Sequence, residues 1–329
     1  MIDIIIPVYN SHDTLVQTLL SIAGQTIKDQ VTVYLIDDCS KKDYKKEIAL
    51  FKNKLNIIEL KLNVNRGPGV ARQYGIDNSK SEYLFFLDSD DLLVDCFSLR
   101  NIYNAINDNN ADVAVGVVLD EINQGYFRFL GNPGNLHGKI YRREFINKHN
   151  ICFNDSRSSE DNSFNRLVLL YHPKIVSCPN DITLYRDNKN SITQSDNQYI
   201  FTGIKPYVEN MIWAIEIGEK NKCSERLIAD LVFSSAFYVY KVFHICINPG
   251  NVNTHYPADY FTPLIKYIRD NPNQIDVNKI LAWFKPLAKY VKKYDKVLTE
   301  EEKWLLYSDY MQQVLVTVSF EEFLEKSSI

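Results

Sequence analysis

Tyr83-Leu84-Phe85-Phe86-Leu87-Asp88-Ser89-Asp90-Asp91 passes from five apolar residues straight into four polar ones, three of them acidic. A short, unbroken apolar run bounded in this way reads as a strand buried on both faces of a parallel sheet. The same handover occurs earlier in the chain. Ile2 to Val8 is a strand that gives way to Tyr9-Asn10, and Val31 to Ile36 is one that ends in Asp37-Asp38-Cys39-Ser40. Helical patterns separate them: Leu15, Leu19 and Ile22 fall on one face after a start near Asn10 or Ser11, and Pro68 opens a helix running to about Ser79. Ile57 to Leu62 is a further strand. The alternation predicts an α/β fold, a mixed and mostly parallel sheet flanked by helices. In such sheets the ligand crevice lies outside the carboxyl ends of the strands, so the polar clusters should converge there.

Outward from this frame, strands are expected at Asp112 to Leu119 and Tyr126 to Leu130. A glycine-rich loop, Gly131 to Gly138, and a helix across Tyr141 to Lys148 follow. Ser158-Ser159-Glu160-Asp161 precedes a helix through Leu170, and Ile182 to Tyr185 is a short strand. After about residue 200 period-2 runs yield to helical periodicity at Tyr207 to Glu219, Glu225 to Ile247, Asp259 to Arg269 and Val277 to Lys292. Thr299 with Glu302 makes a capping box for one more helix. The 329 residues therefore divide into an α/β domain, 1–200, and an all-α domain, 201–329.

Hydrophobic residues at 45% and charged residues at 24% exclude a disordered chain, and a net charge of −4 supplies no basic field for nucleic acid. The six cysteines form no C-x-x-C pair and read as reduced thiols. Met1-Ile2-Asp3 and five apolar residues, without a basic segment or cleavage site, do not read as a signal peptide. Leu231 to Ile247, broken by Lys241 and His244, falls short of the ~18 to 20 apolar residues of a spanning helix. A cytoplasmic protein is expected.

Asp88 and Asp90, one residue apart on an extended segment, can address one divalent cation and a neighbouring hydroxyl, although such a pair is also an ordinary turn or helix cap. Asp37 and Asp38 point to opposite faces, so one can accept from a base or ribose while the other holds the loop. Asn65 to Arg72 lacks the lysine of a Walker loop and the spacing of a dinucleotide fingerprint. It leaves a glycine turn into a helix whose first turns carry arginine, a favourable place for phosphate. Glu160 and Asp161 alone read as capping acids at a helix start. His12 and His137 are lone histidines in polar loops and are left out of the metal site. The aromatics near Tyr126 to Phe129 suit either stacking on sugar rings or core packing.

Taken in order, Pro7-Val8-Tyr9-Asn10, Ser21 to Thr26, Asp37 to Ser40, Asn65-Arg66-Gly67 through Ala71-Arg72, and Tyr83 to Asp91 resemble the nucleotide-sugar domain of glycosyltransferase family 2. Gly138 to Arg142, Glu160-Asp161, Leu184-Tyr185-Arg186 and Ser191-Ile192-Thr193 are similar to its acceptor-side elements. The resemblance covers roughly residues 1–195. It implies a GT-A fold, a nucleotide-sugar donor, usually UDP-linked, and inversion at the anomeric carbon. By position it puts Pro7, Tyr9 and one of Asp37 or Asp38, with Asp38 preferred, around the uracil. Asn65, Arg66, Arg72, Asp88 and Ser89 join the nucleotide-sugar set, with Asp88 near the ribose. Asp90, together with Asp88, would hold a Mn²⁺ or Mg²⁺ that bridges the diphosphate. Asp161 matches the general base, with Glu160 beside it. Arg66-Gly67-Pro68-Gly69 is richer in glycine and proline than the family's turn, which leaves the roles of Arg66 and Arg72 open.

The expected activity is metal-assisted direct displacement that moves a sugar from a UDP-sugar to a hydroxyl of a bacterial cell-surface glycan. Lipid-linked oligosaccharide or teichoic acid would be the acceptor. Two rivals stand beside it. A sugar-phosphate nucleotidyltransferase would carry a glycine-rich basic loop after the first strand, which Asn10 to Thr14 does not provide. A non-catalytic nucleotide-binding module would need neither Glu160-Asp161 nor the helical domain. The helices are expected to serve acceptor recognition or self-association. The basic, aromatic stretch Trp283 to Lys293 is a candidate for peripheral contact with the inner membrane face or for packing on its own protein.

Overall fold

A computed structural model describes residues 1–122, 125–131, 134–186, 188, 202–250, 262–271, 275–313 and 318–327. Ser191-Ile192-Thr193, the expected boundary at 200 and the expected helix start at Asp259 lie outside them. The chain forms two compact units, Met1–Asn188 and Lys189–Ile329.

The first unit is built on a nine-stranded sheet. In chain order it contains β1 (Ile2–Val8), α1 (His12–Ala23), β2 (Val31–Asp37), α2 (Lys45–Ala49), β3 (Asn56–Lys61), α3 (Pro68–Asn78), β4 (Tyr83–Phe86) and β5 (Leu92–Leu93). Next come α4 (Ser98–Asp108), β6 (Val113–Ile122), β7 (Gly125–Leu130), β8 (Lys139–Arg142), α5 (Arg143–Lys148), α6 (Glu160–Leu170) and β9 (Ile175–Tyr185). The strand order is β3-β2-β1-β4-β8-β6-β9-β5, with β7 hydrogen-bonded to β6. β1 pairs in parallel with β2 and β4, and β2 with β3. β8 runs antiparallel between β4 and β6, and β9 returns parallel to β6. β5 and β7 run antiparallel to β9 and β6, so the sheet is mixed and mostly parallel in the sense that β1, β2, β3, β4, β6 and β9 share one direction.

Alternation along the strands sends side chains to two covered faces. Ile2, Ile4, Ile6, Val8, Tyr83 and Phe85 pack with Leu15, Leu19 and Ile22 of α1 and with Leu99, Ile102 and Ile106 of α4. On the other face Gly75 of α3 lies against Ile5 and Ile36, and Phe86 meets Phe153 and Phe164. Two expectations are corrected here. Lys139–Arg142 is a central strand where a helix starting at Tyr141 was expected, so that helix starts at Arg143. β9 begins seven residues before Ile182.

The second unit holds α7 (Ile204–Lys220), α8 (Glu225–Ile247), α9 (Thr262–Asp270), α10 (Val277–Tyr294), α11 (Glu300–Gln313) and α12 (Phe320–Ser327). The capping box ahead of α11 is formed: the Thr299 N–H donates to Glu302 Oε2 (2.8 Å) and the Glu302 N–H to Thr299 Oγ1 (3.2 Å). By length and composition α8 is long and apolar enough to cross a membrane, which corrects the reading that it falls short, but 72% of that window is buried inside the protein. An all-round apolar helix of this kind is a core helix. α10 buries Ile280, Phe284, Leu287, Ala288 and Val291 and exposes Lys285, Lys289, Lys292 and Lys293. Its apolar face is thus engaged by its own unit.

Candidate active site

The carboxyl ends of β1, β2 and β4 lie side by side, and the polar clusters meet there. Pro7 is buried in β1, and Tyr9 stands half-exposed just beyond it. The segment after Tyr9 is pinned to the β2 end: the Asn10 N–H donates to Ser40 Oγ (2.9 Å), and the Ser11 N–H to the Tyr44 hydroxyl oxygen (2.9 Å). Ser89 Oγ donates to Ser11 Oγ (2.8 Å), which joins the β4 loop to the same knot.

Both acids at the end of β2 have structural partners. Asp37 accepts from the Ser40 N–H (2.7 Å) and pairs with Lys61 (2.7 Å). Asp38 accepts from the backbone N–H groups of Arg66 (2.8 Å) and Gly67 (2.7 Å). Burial raises the Asp38 carboxyl, and these two N–H groups and Arg157 oppose it. Asp38 therefore holds the Asn65-Arg66-Gly67 turn, while a carboxylate's remaining lone pairs leave room for one more donor. Gly67 sits at φ +90°, where a side chain would be strained. Asn65 donates to the Asp38 carbonyl (3.2 Å) and accepts from Arg157 (2.8 Å), and Arg66 pairs with Asp155.

Pro68 and Gly69 then start α3, which carries Arg72 on a buried face. Gly69 permits the approach: a Cβ there would lie 2.8 Å from Glu160 Cγ and 3.1 Å from the Asn154 carbonyl oxygen. This is the physical reason for the glycine- and proline-rich turn. Arg72 donates from Nη2 to Asp88 Oδ1 (2.6 Å) and from Nη1 to Glu160 Oε1 (2.6 Å). A buried guanidinium with two carboxylates is charge-compensated, as burial demands. Burial pushes the Glu160 carboxyl upward, with Arg72 opposing and Asp161 adding to the rise. Asp161, one residue on in the first turn of α6, accepts from the Asn162 N–H (2.8 Å) and is only partly buried.

The antiparallel register of β4 on β8 pairs Tyr83 with Arg142 and Phe85 with Ile140, so the end of β4 meets the start of β8, and His137 just before β8 comes close to Asp88 just after β4. His137 Nε2 lies 3.0 Å from Asp91 Oδ2 and 3.6 Å from Asp88 Oδ2. Burial acts to lower the imidazole, but the two carboxylates outweigh it and hold it up to about 10. Asp88 is held well below the usual carboxylate range, because Arg72 and His137 overcome its burial. Burial moves Asp91 upward to about 6. One ligand atom from each of Asp88, Asp91 and His137 lies within 4.8 Å of the others. Asp91 Oδ2 and His137 Nε2 are buried and make no well-aligned hydrogen bond. A cation bound there would take the place of the His137 Nε2 proton, and two oxygens and a neutral imidazole nitrogen fit a divalent cation such as Mn²⁺ better than Mg²⁺, which favours oxygen alone. Asp90 is placed differently from the D-x-D expectation: its Oδ2 accepts from the Asn188 amide (2.8 Å), and its carboxylate is not in the three-residue cluster.

The structure thus joins Asp88, Arg72 and Glu160 directly and sets Asp161 beside them. His137 and Asp91 are the additions. A histidine 46 residues from its aspartate gives no spacing signal, and Asp91 reads in the sequence as the tail of the acidic run.

Residues 3–161 match the family model for Glycosyl transferase family 2. The chain is 28% identical over 228 residues to the poly(ribitol-phosphate) beta-N-acetylglucosaminyltransferase TarP of Staphylococcus aureus, covering 61% of this chain and 69% of that protein. It is 35% identical over 118 residues to a poly(ribitol-phosphate) beta-glucosyltransferase of Bacillus spizizenii, covering 35% of this chain and 18% of that protein, so it spans less than a fifth of that relative. The solved structure of S. aureus TarS 1–349 in complex with UDP-GlcNAc matches with a TM-score of 0.64 at 18% identity, covering 99% of this chain and 90% of that one.

Proposed function

From the premise that this chain is a glycosyltransferase of GT-A fold, with a glycosyltransferase family 2 domain over residues 3–161, we propose that it transfers a sugar from a UDP-sugar to a hydroxyl of a teichoic-acid-type cell-surface polymer. The observation that carries this reading is Arg72. One guanidinium reaches Asp88 on the donor-side loop and Glu160 beside Asp161, each at 2.6 Å, so a leaving-group site and a base stand one side chain apart.

Pro7, Tyr9 and Asp38 line the place for the uracil, and Asp88 and Ser89 that for the ribose. Asp88, Asp91 and His137 would hold a divalent cation, with Asp90 adding charge from the same loop. When bound, that cation neutralises the diphosphate leaving group. Asp161 takes the proton of the attacking acceptor hydroxyl, and Glu160, held by Arg72, orients the turn. Attack in a single displacement inverts the anomeric carbon. The relatives named for poly(ribitol-phosphate) transfer support an anionic polyol-phosphate acceptor and UDP-GlcNAc as the first donor to try. The six cysteines form no disulfide with one another, in keeping with the proposed action in the reducing cytoplasm.

The test is transfer from a panel of UDP-sugars to poly(ribitol-phosphate) with Mn²⁺, followed by NMR of the product. UDP release with an inverted anomeric centre is expected. Retained configuration would remove the mechanism, and absence of release from any UDP-sugar would remove the donor class.

A further inference from the structure

Asp161 has a carboxylate whose hydrogen-bond partners, among the described residues, are the backbone N–H and side-chain amide of its own neighbour Asn162. Its direction is therefore set by where the backbone of its turn lies. Arg72 holds that turn by the Glu160 side chain and Ser163 by the Glu160 carbonyl (3.0 Å), but the Asp161 carbonyl itself is gripped by another side chain. Asn165, one helical turn on and buried, donates from its amide nitrogen to the carbonyl oxygens of Asp161 (3.0 Å), Asn135 (3.0 Å) and Gly134 (3.2 Å). Its Oδ1 accepts from the Tyr141 hydroxyl (2.7 Å) and from Lys139 Nζ (3.3 Å). Two amide hydrogens thus serve three carbonyls, and both ends of the side chain are occupied.

Asparagine is a poor choice for the interior of α6 on local grounds, because its side chain competes with the helix ladder, here at the carbonyl four residues back. A local cost retained inside a fully bonded polar network points to a demand made by the site. The position of the bonds identifies that demand. Asn135 and Gly134 lie two and three residues before His137, which faces Asp88 and Asp91. Lys139 and Tyr141 belong to β8, which places His137. Every partner of Asn165 outside its own helix therefore belongs to the segment that delivers His137.

We infer that Asn165 is a positioning residue for the transfer step: its amide fixes the Asp161 turn against the 134–137 segment and so keeps the base and the leaving-group site at a set separation, a role that rests on Asp161 being the base. Lys139 and Tyr141 orient the amide by occupying its oxygen. The bland alternative is that Asn165 only satisfies buried carbonyls and stabilises the fold.

Asn165→Asp separates the two, since the carboxylate still accepts from Tyr141 and Lys139 but can no longer donate to the three carbonyls. Turnover should fall by about tenfold to a hundredfold, the cost of a misplacement of about 1 Å, while the affinity for UDP with Mn²⁺ stays within about twofold. Placed in an Asp161→Asn background, the same change should cost no more than about twofold, because a residue that acts through the base has nothing left to position. Tyr141→Phe, which removes the shorter of the two bonds to the amide oxygen, leaves that of Lys139 and keeps the ring in the core, should give a smaller fall in turnover, again with unchanged UDP affinity. Three results would overturn the inference alone: wild-type turnover in Asn165→Asp, an equal loss with and without Asp161, or a loss matched by weakened UDP binding. Wild-type turnover in Asp161→Asn would instead overturn the base assignment and this role with it.

Discussion

Replacing Asp161 by Asn keeps the shape of the side chain and removes its capacity to take a proton. Asp161→Asn should retain UDP-sugar binding and lose turnover by the ~10² to 10⁴ that general-base catalysis contributes. Glu160→Gln should lose less, because an amide oxygen still accepts from Arg72. Calorimetry of donor binding beside steady-state turnover checks both, and a fast Asp161→Asn enzyme would move the base elsewhere. His137→Ala removes the one nitrogen of the Asp88, Asp91 and His137 cluster and should weaken Mn²⁺ activation by at least ~10-fold to 100-fold. Titration of activity with Mn²⁺ reads this directly, and an unchanged midpoint would take His137 out of the site. The residue scale is also where the sequence is least readable. Asp88, Asp161 and Arg72 stand in ordered motifs, but Arg72 meets Glu160 across 88 residues of chain, and no periodicity encodes that pairing.

At the scale of elements, the close approach of α3 and α6 depends on one missing methyl group. Gly69→Ala would put a Cβ 2.8 Å from Glu160 Cγ and against the Asn154 carbonyl, so it should cost ~1–3 kcal/mol and most of the activity as Arg72 is displaced. Denaturant unfolding beside turnover checks it; a fully stable and active Ala variant would show that the contact yields. In α8, burial lowers the His244 imidazole from its ordinary 6.5. The unfolded chain then binds a proton that the folded chain refuses, so stability falls as pH drops below about 6.5 towards the folded value, and the penalty is absent above it. His244→Leu should flatten this slope below about pH 6.5, measured by urea midpoints; an identical slope would assign it to other groups. Helices and parallel strands were legible because their apolar spacing is regular, as in Leu15, Leu19 and Ile22. β8 was not, since Lys139-Ile140-Tyr141-Arg142 offers only two apolar residues and abuts a true helix. The start of β9 was hidden by Pro179 and Asn180 in mid-strand. Leu99, Ile102 and Ile106 carry the helical signal of α4.

At the scale of the molecule, two units with separate cores need not melt together. UDP with Mn²⁺ should raise the melting transition of Met1–Asn188 by the ~2.7 kcal/mol that a hundredfold excess over Kd supplies, and leave the transition of the helical unit in place. Scanning calorimetry with and without ligand decides this; one transition moving as a whole would mean that the units unfold as one. The reversal of β8 has a different consequence. A parallel strand brings its last residue to the crevice, and whatever follows must then find its way out. β8 brings its first residues there instead, so His137 is set by the strand that follows it, held between β4 and the first residues of β6. The near part of β6 shares in that placement, through its ladder to β8 and the Gly116 N–H on the Gly138 carbonyl (2.7 Å), but the far part of the β6–β7 hairpin, over residues 117–130, makes no pairing with β8 among the described residues. That far part can be lengthened, shortened or exchanged between enzymes while His137 keeps its seat, which makes it the natural grafting point for altering the acceptor without rebuilding the chemistry.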